Sequence, residues 1–366
     1  MAYIVSNNAS TVASPVNFVL MRGLLSAAKK NLPFFNGTMP GNLEKSGNGS
    51  ASVKWRRIEN LGVVTTALSE YSDGATAAFG MGRTSVKPTI TDVTKAIAKY
   101  GNAIALTEEV DLFNVNSDSM ALMDTLGANA GESLNYAMAT EYKAATKVRF
   151  ASAAAATTAS VNAAISLNDI KYAVNMLQRN SAMKMHAEAN GSTNIGTSPV
   201  RASYFGICHP DVEEDIRGLT GFIGVEQYGG YTQTNEGEFG AVWGVRWASS
   251  EMAPIDTAAG TNSSSTGFRA TTSAAGSADK QDVYYSFVYG REAVGSIGLG
   301  ENHAQEIYQM YDRVPTVELI YHKPGSSGVA DPFNELGSIA WKSWFGGKIL
   351  NNNWIVQIIS LATSLS

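Results

Sequence analysis

Charge is what this sequence has least of. Asp, Glu, Lys and Arg make up 16% of its 366 residues, against about 25% in typical soluble domains. Ala, Ser, Thr, Asn and Gly stand in their place. A lone molecule with so few charges lacks the mixed ionic surface that keeps proteins apart, whereas the cores of protein–protein contacts are depleted in charge. The deficit points to a surface covered by neighbours. A net charge of −5 argues against general nucleic-acid binding, because phosphate contacts need clustered Lys and Arg. The single cysteine, Cys208, excludes an internal disulfide and any multi-cysteine metal site. No run approaches the roughly 18 apolar residues of a membrane-spanning helix. The N-terminal MAYIVSNNASTV has no basic segment followed by an apolar one, so no secretory signal is expected. Folding is therefore expected in a reducing cytoplasm, with the sequons at Asn8, Asn36 and Asn48 unused.

What is present is a globular composition, 44% hydrophobic, with strands and helices that do not alternate strictly. The expected class is α+β. Residues 1–50 read as an arm. An amphipathic piece, VNFVLMRGLLSAAKKNL, gives way to a linker rich in Gly, Asn and Ser, so the piece has no local core and needs a docking surface. Residues 51–106 read as an extended hairpin. Its strands are SVKWRRIENL and TKAIAKYGNAIAL, with a long Gly-bearing connection between them. Such a hairpin is marginal alone; it packs back on its own domain or reaches across to another subunit.

The longest helix is expected over about 117–147, where Met120, Met123, Leu126, Ala130, Leu134, Ala137, Met138 and Tyr142 recur every three or four residues. Gly127 and Gly131 would let another backbone approach it. Ser166-Leu-Asn-Asp169 reads as a capping box for the helix DIKYAVNMLQRN. ASYFGIC is expected to be a buried strand running into His209-Pro210, which opens a short helix ended by Gly218. GEFGAVWGVRWASS and VYYSFVYGREAVGSIGL are further strand regions, separated by a polar insertion around residues 257–282. EIYQMY, TVELIYH and the tail form a last β-rich block. That tail, from Asp331, holds three of the six tryptophans, Trp341, Trp344 and Trp354.

The few charges are unevenly placed. Residues 51–100 hold seven Lys or Arg against four Asp or Glu, whereas residues 101–142 hold seven acids and no Lys or Arg. A basic hairpin is followed directly by an acidic helix. This motivates an interface in which Lys54, Arg56, Arg57, Lys95 and Lys99 lie across Glu108, Glu109, Asp111, Asp118 and Asp124 of an adjacent subunit.

Catalytic and metal chemistry find little support. Cys208-His209, near Glu213, Glu214 and Asp215, superficially offers a nucleophile and base, but neighbours on a strand point to opposite faces. A buried Cys and a helix-start His is the better reading. His186, His303 and His322 lack ligand spacing. GSIGLGEN has the wrong spacing for a dinucleotide loop, and AFGMGRTS lacks the leading Gly and the Lys of a phosphate loop. Glu108, Glu109 and Asp111 do not follow a calcium-loop pattern. No enzyme, cofactor or metal is expected.

An ordered set of motifs carries a resemblance. HKPGSSG from His322, ADP from Ala330, GSIAWK from Gly337 and KILN from Lys348 lie ahead of Trp354. Upstream stand KNLPFF, SVKWRRIENL, YGNAIALTEEVDL, GANAGESLNYA, CHPDVEEDIR and GEFGAVWGVRW. Together they resemble the major capsid proteins of tailed bacteriophages, in podophages related to the coliphage whose virion carries its own RNA polymerase. The chain departs from that pattern at AEANGSTNIGTSPV and in the insertion. The resemblance implies a Hong Kong 97-type capsid fold: an N-terminal arm (1–50), an extended loop (51–106), a peripheral domain with a long spine helix (107–165), an axial domain (166–299) and a return to the peripheral domain (300–366). No cleaved N-terminal scaffold domain is expected. It implies a shell subunit that self-assembles into hexamers and pentamers around double-stranded DNA without reading its sequence. Its partners would be portal, scaffolding and decoration proteins, its places the virion and, during assembly, the host cytoplasm. The tail tryptophans would pack under the spine helix. Three other readings stay open at this stage: a protein-packaging nanocompartment of the same fold, a lattice or fibre protein of another fold, and an enzyme with a pocket near His209.

Overall fold

Apolar residues at helical spacing after Ser117 and at alternate positions elsewhere need two kinds of surface to bury them, and the computed structural model supplies both. It describes residues 32–42, 52–59, 61–63, 65, 87–109, 119–151, 155–186, 201–228, 235, 237–261, 267–271, 280–298, 317–322, 333 and 335–364. The amphipathic arm segment before Leu32, the EIYQMY segment, Asp111 and Asp118 lie outside the described residues. In chain order the first strands are β1 (Met39–Asn42), β2 (Ser52–Ile58), β3 (Ile90–Ala96) and β4 (Ala98–Thr107). The long helix α1 (Ser119–Lys143), β5 (Val148–Phe150), α2 (Leu167–Arg179), β6 (Tyr204–Cys208) and α3 (Pro210–Arg217) follow. Then come β7 (Ile223–Gly224), β8 (Glu238–Val242), β9 (Val245–Ser249), β10 (Ile255–Asp256), β11 (Ala270–Thr271) and β12 (Lys280–Gln281). The last are β13 (Val283–Tyr289), β14 (Val294–Gly298), β15 (Val317–His322), β16 (Leu336–Ile349) and β17 (Ile355–Ser360).

Two sheets dominate. In one, the order is β1-β14-β16-β15, with β4 on the other side of β16. In the other, it is β5-β17-β13-β6-β9-β8-β7, with β10 also pairing β13. The pairs β2-β3 and β11-β12 stand apart. One core combines the buried stripe of α1 (Met123, Leu126, Ala130, Leu134, Met138, Tyr142) with β16 residues Ile339, Trp341 and Phe345 and one face of the larger sheet, where Phe205, Ile207 and Phe287 lie. The opposite face of that sheet, with Tyr204, Cys208, Val245 and Trp247, is covered by α2 and α3. Strands buried on both faces read as continuous apolar runs, as VYYSFVY of β13 and IVQIIS of β17 do.

Helix α1 is shorter than expected at its C-terminal end, because Val148–Phe150 extends to pair with β17. Gly347 of β16 admits it closely: a Cβ there would meet Met138 Sδ at 2.4 Å. Helix α2 starts as expected at Ser166, in a capping box in which the Asp169 carboxylate accepts the Ser166 N–H at 3.1 Å. Helix α3 starts at Pro210, with His209 as its cap.

Two expectations need correction. TKAIAKYGNAIAL is not one hairpin strand. It breaks at Ile97, so β3 stays with β2 while β4 pairs along β16 from Leu336 to Phe345. Ile97 packs beside Val53, Trp55, Ile297 and Leu350 and so marks where the chain leaves the hairpin for the body. The blocks 107–165, 166–299 and 300–366 also interleave. Strand β14 joins the smaller sheet, whereas β5 and β17 join the larger one, and a turn at Asn352–Trp354 carries the chain from β16 to β17.

The N-terminal segment is tied in at Phe34, which is fully buried. Its ring meets Tyr142 and Phe287 edge-on, with centroids 5.2 and 6.0 Å away. Its backbone N–H donates to Asn135 Oδ1 (3.3 Å), its carbonyl accepts from the Tyr142 hydroxyl (3.1 Å), and Asn135 Nδ2 donates to Ser250 Oγ (3.1 Å). Asn135 thus links the arm, α1 and the larger sheet in a space closed to water. Asn135→Ala leaves the Phe34 N–H without its acceptor and is expected to destabilise the fold by about 1–3 kcal/mol in urea unfolding.

A second buried network joins β8 and β9 to the segment before β6. Tyr228 donates to Glu238 Oε1 (2.9 Å), the Asn235 N–H donates to Oε2 (3.1 Å), and Asn235 Nδ2 donates to Nε2 of neutral His186 (2.9 Å). Arg246 lies 3.9 Å from Glu238, with both side chains fully buried. Burial, aided by the Arg246 charge, holds His186 down to a pKa of about 4. The unfolded chain therefore binds more protons between about pH 6.5 and 4, and stability falls as pH drops through that window. Thermal unfolding of wild type against His186→Gln should show a shallower decline in the variant.

Candidate subunit interface

The β2-β3 hairpin lies on the body at its base and leaves it at its far end. Val53 and Trp55 are buried with Ile297 and Leu350, and Arg57 donates to the Leu350 carbonyl at 2.9 Å. Beyond that bond exposure rises: Ile58 is 63% exposed, its cross-strand partner Ile90 50%, Leu61 57% and Val63 90%. Four large aliphatic side chains therefore stand in solvent on a projecting limb.

Most of the hairpin's cations find partners within the same chain. Lys54 and Arg56 share Asp92, at 3.4 and 3.2 Å, and the Arg56 hydrogen bond foremost holds that carboxyl below its usual range. Arg57 pairs with Glu59. Lys95 pairs with Glu141 of α1, so one contact between basic hairpin and acidic helix is made inside the chain. Lys99 lies 5.9 Å from the Trp344 ring centre. Glu108, Glu109 and Asp124 are exposed, and none makes an ion pair among the described residues. The structure thus gathers Lys54, Arg56 and Asp92 at one place and leaves Glu108, Glu109 and Asp124 open at another.

Sequence reasoning singled out the cations and passed over the aliphatics. The signal was there: the alternation that puts Val53 and Trp55 inward ends at Arg57-Ile58. The tail tryptophans divide. Trp341 is buried under α1 and donates to Asn129 Oδ1 (3.1 Å), Trp354 donates to the Asn180 carbonyl (3.1 Å), and Trp344 is 40% exposed.

The catalytic alternative has no geometry. Cys208 is fully buried on the α2–α3 face of the sheet, and burial pushes its thiol well above the usual range. The His209 ring accepts the Asp211 N–H (3.1 Å), so it is occupied as a helix cap. Among the described residues, no group of three His, Cys, Asp or Glu is placed to hold a metal ion, and no helix is long and apolar enough to cross a membrane. A cavity of ≈ 250 Å³ between Thr38, Met39, Met185, Arg291 and Glu292 includes neither Cys208 nor His209 in its lining.

Known proteins point the same way as the limb. The capsid of Ralstonia phage GP4 is similar over 92% of this chain and 93% of its own, with a TM-score of 0.62 at 11% identity. The capsid of cyanophage Pam1 is similar over 93% of both chains, with a TM-score of 0.57 at 12% identity. That of cyanophage P-SCSP1u gives 0.52 at 12% identity, over 90% of this chain and 88% of its own. At such identities the likeness is one of fold, the α+β Hong Kong 97-type capsid fold. No curated protein matches the sequence. The profile of a family described as phage capsid protein matches residues 90–355, nearly three quarters of the chain. With its fold, its projecting hairpin and that match agreeing, the chain belongs to the phage capsid protein family and is a structural protein of the virion shell.

Proposed function

We propose that copies of this chain form hexamers and pentamers that close an icosahedral head around double-stranded DNA, assembling in the host cytoplasm with portal, scaffolding and decoration proteins. In this reading residues 1–50 are the arm, 51–97 the extended loop, 98–165 and 300–366 mainly the peripheral domain, and 166–299 mainly the axial domain. The net charge of −5 suits a container that holds DNA without gripping it. Membership of a phage capsid family favours a genome container over a protein-packaging nanocompartment.

The observation that carries this reading is the exposed aliphatic end of the hairpin. The hairpin lies across the spine region of a sister copy, where Lys54, Arg56, Arg57, Lys95 and Lys99 face Glu108, Glu109, Asp111, Asp118 and Asp124. Exposed ion pairs contribute about 0–1 kcal/mol each, and several of these cations already have partners in their own chain. Burying one large aliphatic side chain contributes about 1.5–3 kcal/mol. Ile58, Leu61, Val63 and Ile90 therefore supply the strength of the contact, and the charges set its register. Each contact is weak, but every subunit touches several neighbours at once, and the shell sums them.

Negative-stain microscopy of two double variants tests this. Ile58→Ser with Ile90→Ser should abolish particles while circular dichroism shows the subunit folded. Arg56→Glu with Arg57→Glu should lower particle yield and leave the fold intact. Normal shells from both variants would overturn the reading.

A further inference from the structure

The far side of the larger sheet carries a second exposed feature, unrelated to the hairpin. Strands β8 and β9 are joined by Trp243-Gly244, with φ of +48° and +77°. Two positive φ values suit a tight two-residue hairpin turn, but that conformation favours Asn-Gly, and bulky side chains rarely adopt it. Trp243 adopts it and remains 56% exposed, so its indole serves neither the turn nor the core. Lys171 of α2 lies 4.5 Å above its ring. The next residue, Tyr172, is 42% exposed, with the Arg149 guanidinium 5.0 Å from its ring. The outer face of α2 continues through Asn175, Gln178 and Arg179 and has no exposed carboxylate. Lys171 and Arg179 make no ion pair among the described residues. Exposed Trp and Tyr are side chains enriched at interface centres, and here Lys171 and Arg149 flank them.

The opposite polarity sits at the other end of the same strand. Val245, two residues after Trp243, pairs with Tyr204, the first residue of β6. Helix α3 follows Cys208, the last residue of β6, with Glu213, Glu214 and Asp215 against Arg217. Arg217 engages Glu213 (2.7 Å), while Glu214 is exposed with no ion pair among the described residues. A five-residue strand at about 3.3 Å per residue separates the two ends by roughly 16 Å. Both helices cover the same sheet face.

Resting on the shell reading, we infer that the Trp243–Tyr172–Lys171 surface of one copy receives the acidic outer face of α3, centred on Glu214, of a second copy. The two surfaces are different and complementary, so the contact is heterologous and propagates head to tail, as a closed ring requires. A carboxylate-bearing helix suits the site because its methylenes lie on the rings while its charge meets Lys171 and Arg179. A nucleic-acid backbone suits it less: two unpaired cations fall short of the clustered basic side chains that phosphates need.

The test uses the full chain and measures particle yield by light scattering and microscopy, with thermal unfolding of the subunit as the control. Trp243→Gly removes the backbone strain, so the subunit should melt no lower than wild type, yet assembly should fall about tenfold. Lys171→Glu and Glu214→Lys should each slow assembly by a similar factor, and combining them should restore it to within about threefold. Wild-type yield from Trp243→Gly would overturn the inference, as would a double variant no better than the singles. Normal shells with less DNA would identify a polyanion as the occupant and overturn it equally. Wild-type chain that forms no particles would remove the shell reading itself, a failure distinct from these.

Discussion

Burial of one helix face sets the layout of the whole molecule. The stripe from Met123 to Tyr142 is buried by residues of both sheets. It is closed by β16 on one side and by Phe34, Phe287 and Tyr289 on another. Strand β16 fills its role by length. Its 14 residues pair with β4 along one edge and with β15 and β14 in succession along the other. Through the turn at Asn352–Trp354 the same segment supplies β17 to the larger sheet. The two sheets are therefore coupled by continuous chain as well as by the shared core.

Much of this was legible because local chemistry fixes local structure. Ser166 and Asp169 form a capping box wherever a helix begins there, and Pro210 after a buried strand can hardly do anything but open a helix. Periodicity also identified which residues of α1 face inward. It says nothing about partners, and that is where the reading stopped. No Pro, Gly or Asn stands at Ile97, so nothing local announces the exchange of β2 for β16 as neighbour. The apolar run IVQIIS marks a strand buried on both faces but cannot say in which sheet.

The interface shows the same division. The asymmetry of charge between hairpin and helix is real, but opposite charges of the same chain satisfy each other first. Lys95 and Glu141 meet inside one chain, and Asp92 neutralises part of its own hairpin. What remains exposed and unpaired at the far end of the hairpin is apolar, Ile58 and Val63 among it. The shortage of charged residues reports the character of the whole surface, whereas the individual pairs close within the chain. Trp243 could be read as a strand residue until its backbone placed it at a turn.

The position of β17 has a consequence in time. Strand β17 lies inside the larger sheet, between β5 and β13, although it is the last of the described strands in chain order. A nascent chain emerging from the ribosome holds β5 and β13 long before the segment that must lie between them. Until Ser360 has emerged, the sheet has a gap between β5 and β13, and part of the floor beneath α2 is missing. A half-synthesised subunit consequently lacks the strand that joins β5 to the rest of that sheet, so the larger sheet closes only when the last described strand has been made.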